Sequence, residues 1–209
     1  MTELRRIRAD YDDRTIVMYR AHAPGAPGHP AEPFAGHRTI WIEPSFRWLM
    51  HRTNWARRTG QERVLAVRIT REGWERALAE AVPATDDQAA PADAAAHVRW
   101  DPERSAAGAA LGHHSIQVGV GRPLLNAFVD EWTVSVTDLT PRVHRISGLI
   151  RAGLNAQAVR LLPTERPYPL EPSLARQLGV GVPHRIPGPR RRGGQGRPAA
   201  SGTPYRRNP

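Results

Sequence analysis

Ser45 follows Pro44 and opens a segment in which Phe46, Leu49 and Met50 fall at helical spacing, the position of a helix N-cap. A hydroxyl and free amides at the positive end of a helix can hold a phosphate or another anion, and Arg47, His51 and Arg52 stand within two turns. Capping alone accounts for Ser45 equally well. Gln117 lies in the alternating stretch 115–120, sharing one face with Ser115 while Ile116 and Val118 take the other. Glu131 stands beside Trp132 at the mouth of a second alternating stretch, a frequent place for a catalytic carboxylate and an ordinary one for a solvated acid. Arg20 closes the first β-rich run with a cation. Trp48 stands in a set with Trp41 and Trp55 at seven-residue spacing; such rings pack cores or stack on a base or a nicotinamide. The resulting expectation is one ligand cleft. Ser45 and Glu131 are its candidate catalytic residues, and Arg20, Trp48, Arg52 and Gln117 its candidate ligand-binding residues.

Other chemistries are excluded by residue type. All 30 basic residues are arginine, and lysine and cysteine are absent. A Schiff-base lysine, a thiol nucleophile, a disulfide frame and a cysteine metal site are therefore ruled out. No metal site is expected: His22, His29 and His37 lie in a Pro/Gly-rich stretch, and the neighbours His113 and His114 point to opposite faces of a strand. Gly119-Val-Gly121 has Leu124 where a dinucleotide fingerprint needs its third glycine, so a tight turn before Pro123 is the better reading. Ser45 lacks the flanking glycines of a nucleophile elbow.

The elements that must position these residues can be read along the chain. Strands are expected at 14–21, 39–42, 62–70, 98–100, 115–120 and 132–137, the fifth being the one that bears Gln117. Helices are expected from Ser45, over 71–81, 123–130 and 142–153, and over 155–162. Loops fall near 22–38 and 83–97. Short strands interleaved with helices and irregular loops predict an α+β fold: a single domain over 1–169 with a mixed, mostly short-stranded sheet flanked by helices. From 170 to 209 the chain has eight arginines against one acid, Glu171, a charge of +7 out of a net +10. Its prolines and glycines predict a disordered, dispensable tail. The longest apolar runs, such as 64–67, are too short to span a membrane, and the first residues lack a signal-peptide core, so a cytoplasmic protein is expected.

Several segments in one order resemble a known family: Tyr11-Asp-Asp13 with Val17-Met-Tyr19, the stretch 41–50, Asn54-Trp55, 60–67, 100–104, 115–119, Glu131-Trp132 with Asp138, and 162–169. Over roughly residues 5–170 the chain resembles the bacterial and fungal family called domain of unknown function 4291. Where that family tends to have lysine, arginine and glutamine, this chain has Glu43, His114 and Arg20. The order of elements is also similar to that of the ADP-ribosyltransferase superfamily. That likeness implies an NAD-dependent enzyme in which Arg20, Ser45 and Glu131 hold the dinucleotide and polarise its ribose while Trp48 stacks on nicotinamide, with electrostatic stabilisation of an oxocarbenium-like state. The alternative is a non-catalytic nucleic-acid-binding module that tracks phosphates with the arginine tail and a Trp/Arg surface.

Overall fold

The computed structural model describes residues 2–24, 34, 38–84, 91, 93–181 and 183–185. Two short strands, β1 (Thr2–Arg5) and β2 (Arg8–Ala9), precede β3 (Thr15–His22). Asp12 starts β3 by accepting the amides of Arg14 and Thr15 and the Thr15 hydroxyl, which hold its carboxyl down at about 2. Then come β4 (Thr39–Ile42), α1 (Phe46–Thr53), β5 (Arg63–Thr70) and α2 (Arg71–Ala79), the last capped by the Thr70 hydroxyl on the Gly73 amide. β6 (Ala81–Pro83), β7 (Ala96–Arg104) and β8 (Ala110–Gly121) lead into α3 (Arg122–Asn126). A π-helical turn, Ala127–Trp132, connects α3 to β9 (Thr133–Asp138). The chain closes with α4 (Thr140–Arg151), α5 (Asn155–Arg160), β10 (Arg166–Pro167), α6 (Pro172–Leu178) and β11 (Pro183–Arg185).

Two sheets share one core. The larger is ordered β11-β1-β8-β7-β6, and β4 pairs with the C-terminal part of β8; the smaller is β3-β5-β9, antiparallel throughout. Tyr19 and Glu43 exchange both backbone hydrogen bonds, at 2.7 and 3.0 Å, so the sheets meet just beyond β4. Ile40, Ile42, Val98, Ile116, Val118 and Val120 from the larger sheet join Met18, Val67 and Ile69 from the smaller, together with Trp74, Phe128 and Trp132 from the helical side. A second cluster lies on the opposite face of the smaller sheet, where Val17, Tyr19 and Val64 meet Phe46, Leu49 and Met50 of α1 and Val143 and Ile146 of α4. The molecule is a single α+β domain, as the interleaving of elements predicts.

The structure departs from expectation at several places. β7 does not stop at Asp101-Pro102 but runs to Arg104; β6 pairs only with Ala96–Val98, so the missing Pro102 amide falls where β7 has no outer neighbour among the described residues. Gly119 and Gly121 lie in β8 rather than in a turn. A Cβ on Gly121 would sit 2.1 Å from the Ala94 carbonyl oxygen, and one on Gly119 would meet Thr39 and Trp41 at 2.9 and 3.1 Å. Trp132 ends the π-helical turn instead of beginning a strand, which lays its ring over Gly73, whose added Cβ would come within 2.3 Å of it. Finally, order does not end at residue 169: α6 buries Leu174 and Leu178 in the main core, and β11 pairs antiparallel with β1. Two well-spaced leucines suffice for this despite the surrounding arginines and prolines. The disorder expected of 186–209, and most of the loops expected near 22–38 and 83–97, lie outside the described residues.

Candidate functional site

β8 has two unlike faces. Ile116, Val118 and Val120 enter the core, while Ser115 and Gln117 point the other way. Register extends this division to its neighbours. Arg99 and Asp101 of β7 stand opposite Gln117 and Ser115, and Trp41 of β4 stands opposite Gly119. Glu43, two residues beyond Trp41, continues the same face. A sheet face shut away from water is normally apolar. This one is polar, yet Ser115, Gln117 and Glu43 are each only 4% exposed, and Arg20, which closes the corner from β3, is 6% exposed.

Hydrogen bonds and charge organise the face. The Gln117 amide nitrogen donates to Asp101 Oδ2, a diagonal cross-strand contact. Arg20 donates through Nη1 to the Trp41 carbonyl oxygen at 3.5 Å. Glu43 Oε2 is buried without a hydrogen-bond partner among the described residues. Burial pushes the Glu43 carboxyl up to about 8; Arg52 and Arg20 oppose the rise and Asp101 adds to it. Arg52 lies over the Trp48 ring, 5.4 Å from its centroid. Burial thus favours the protonated form of Glu43, against the pull of the Arg52 and Arg20 guanidinium groups. Trp41, Arg99 and Asp101 are half-buried and Arg52 is exposed, which gives the face a route to solvent.

A second carboxyl, half-buried, sits at the start of α1. Glu165 Oε1 accepts the Phe46 amide at 2.7 Å, and the Ser45 hydroxyl accepts the Trp48 amide at 3.2 Å. Burial raises the Glu165 carboxyl to about 7; the Phe46 amide pulls it down, nearby Glu103 pushes it up, and Arg47 and Arg8 lower it. The anion at the positive end of this helix is thus the protein's own side chain. Glu103 is buried and accepts the Arg104 amide, rather than forming a surface ion pair.

Arg20 and Gln117 lie on the polar face and Arg52 acts on Glu43 from α1, whereas Trp48, expected to bind ligand, is buried in the second core cluster with Tyr19, Phe46 and Leu49. Ser45, fully buried, serves as a cap whose hydroxyl is committed to Trp48. Glu131 is separate: it is exposed on the π-helical turn, whose Phe128 and Trp132 pack into the core against the apolar side of the larger sheet, away from Gln117. A single cleft of Ser45, Gln117 and Glu131 is not formed. Glu43 and Glu165 escaped sequence reading. The alternation of Ile40, Trp41, Ile42 and Glu43 signals the face of Glu43, but only the β4–β8 register puts that face beside Gln117. Nothing local points from Glu165 to a helix that begins 119 residues earlier. Among the described residues, no group of three His, Asp or Glu side chains is placed to hold a metal ion.

Fold and site together define an α+β domain with a buried, charged sheet face beneath a helix start. The chain belongs to the family described as Domain of unknown function (DUF4291), whose model matches residues 6–168. A search of curated proteins and a search of solved structures each found no match. The matched span holds every residue of the polar face, whereas α6 and β11 lie beyond it. No helix of the described residues is long and apolar enough to cross a membrane.

Proposed function

We propose that this chain is a nucleotide-handling enzyme whose working carboxyl is Glu43. The observation that supports the reading best is Glu43 itself, a buried carboxyl on a polar sheet face, pushed up to about 8 by burial against the pull of Arg52 and Arg20. A carboxylic acid so poised can donate a proton to a leaving oxygen or nitrogen and take one back afterwards. Arg20 and Arg52 would bind phosphate oxygens, and the half-buried Trp41 would stack on a base. Gln117 is held on that face by its hydrogen bond to Asp101. In the ADP-ribosyl transfer version of this reading, NAD is the substrate and Glu43, in place of Glu131, faces the ribose.

The test is calorimetric titration of the full chain with ADP and with NAD. Saturable binding is expected, weakened roughly tenfold by Arg52→Ala; Glu43→Gln should keep binding and lose turnover of the bound nucleotide. No heat of binding for either nucleotide at millimolar concentration defeats the reading. The arginine-rich segment 170–209, with its charge of +7, favours a second reading as a nucleic-acid-binding module. Steeply salt-dependent RNA or DNA binding that disappears from a 1–185 chain would support that alternative.

A further inference from the structure

α1 ends in an unusual way. Its C-cap residue Asn54 and the next two, Trp55 and Ala56, all have positive φ, at 50°, 57° and 59°. Left-handed backbone is disfavoured for residues with a Cβ and normally occurs singly, so three in succession persist only where their surroundings over-determine them. Thr53 does this. Its hydroxyl accepts the Ala56 amide at 3.2 Å, and its carbonyl oxygen accepts the amides of Arg57 and Arg58 at 3.1 and 3.0 Å. The amides of Asn54 and Trp55 fold back onto the carbonyl oxygens of His51 and Met50. The chain therefore doubles back, and Asn54 and Trp55 come to stand beside Arg47 and His51.

A pocket of about 240 Å³ lies at this corner, lined by Arg47, His51, Asn54 and Trp55, by Met50 and Ile150, and by the 105–108 turn between β7 and β8. None of its lining residues is acidic. The backbone carbonyls that would make a helix C-terminus repel an anion are occupied by the left-handed turn itself. Arg47 supplies a guanidinium, His51 and Asn54 supply hydrogen-bonding groups, and Trp55, Met50 and Ile150 form an apolar wall. The volume falls below that of pockets for drug-sized molecules, which suits a body of one ring.

We propose that this pocket is a second ligand site, separate from Glu43, for a small organic anion: a carboxylate or phosphate carried on an apolar body about one ring across. The left-handed turn is the device that builds it. Since none of its lining residues belongs to the polar face, it stands or falls independently of the nucleotide reading.

The experiment is a titration of the full chain, labelled with ¹⁵N at its tryptophan indoles, with benzoate, phenyl phosphate and uncharged benzamide. The Trp55 signal is assigned by its loss in Trp55→Phe. Saturable movement of that signal is expected with benzoate or phenyl phosphate, the better of the two identifying the anionic group, with benzamide roughly tenfold weaker. Arg47→Gln should weaken the anion roughly tenfold. Ala107→Glu, on the exposed turn, should do the same by bringing a negative charge to the pocket without disturbing the core. A shift that stays linear up to about 20 mM, equal binding of benzamide, or indifference to both variants overturns the proposal.

Discussion

Replacing Glu43 by glutamine should make the protein more stable at alkaline pH and leave it unchanged in acid. In the folded chain the carboxyl titrates at about 8, against an ordinary value of 4.5, because it is cut off from water. Between those values the folded state holds a proton that the unfolded state has released. Stability is therefore greatest below 4.5 and falls as pH rises towards 8. At about 1.4 kcal/mol per unit, the full window corresponds to roughly 5 kcal/mol, an upper bound that relaxation or water entry would reduce. Glutamine keeps the shape and a carbonyl acceptor while abolishing the titration. The assay is urea unfolding of both proteins from pH 5 to 9. Wild type should lose several kcal/mol across that range, and Glu43→Gln distinctly less. Glu165, titrating at about 7, leaves a smaller decline in both proteins. His22, His97 and His113, whose burial holds them below their ordinary value, act in the opposite sense, costing stability in both as pH drops below about 6.5. Parallel stability curves for the two proteins would refute the reasoning, since Glu43 would then be ionised throughout and compensated by Arg20 and Arg52.

Four further outcomes follow from contacts. Truncation after Pro169 removes the buried Leu174 and Leu178, each worth about 1.5–3 kcal/mol, and should lower the melting temperature by about 10 °C or more; an unchanged melting temperature would mean that α6 adds nothing to the fold. Gly73→Ala drives a methyl into the Trp132 ring and should cost roughly 1–3 kcal/mol by denaturant titration, an effect absent if Trp132 is first trimmed to alanine. Thr53→Val keeps the shape of the side chain but strands the Ala56 amide, and should cost about 1–3 kcal/mol. Glu165→Ala frees the Phe46 amide at the start of α1, so about 20 mM sulfate should stabilise that variant by roughly 1 kcal/mol more than wild type; equal stabilisation of both counts against an anion-binding helix start.

Periodic features were the legible ones. The alternation in 115–120 and the helical spacing after Ser45 both correspond to real elements, because burial of one face imposes a period on the residues that supply it. Features set by distant partners were not. Pro102 reads as a stop, yet the edge position of β7 tolerates it. Glycines 119 and 121 read as a turn, although Gly119 is required by Thr39 and Trp41 of β4 and Gly121 by the backbone just before β7. Leu174 and Leu178 are two apolar residues in a charged, proline-rich stretch, and only the surface they cover makes them core. The same holds for the site. Gln117 was identified from its strand face, and Arg20 and Arg52 from their charge, but the carboxyl among them depends on β4 pairing with β8 in one particular register.

The difference between the expected cleft and the observed one turns on what occupies the start of α1. A helix N-terminus with a serine cap has vacant amides only if no other acceptor reaches them, and here the segment before β10 delivers Glu165 to the Phe46 amide. An external phosphate at Ser45 would have to displace a covalently tethered carboxylate already oriented by the fold, at a large effective concentration. Among the described residues, no hydrogen-bond donor reaches Glu43 Oε2 in the same way. One carboxyl oxygen there is buried and unpartnered, and its proton is retained because ionisation would place an undercompensated charge in a dry site. An apolar residue of similar size would pack there at lower cost. Glu43 rather than Ser45 is therefore the residue around which a mechanism should be sought.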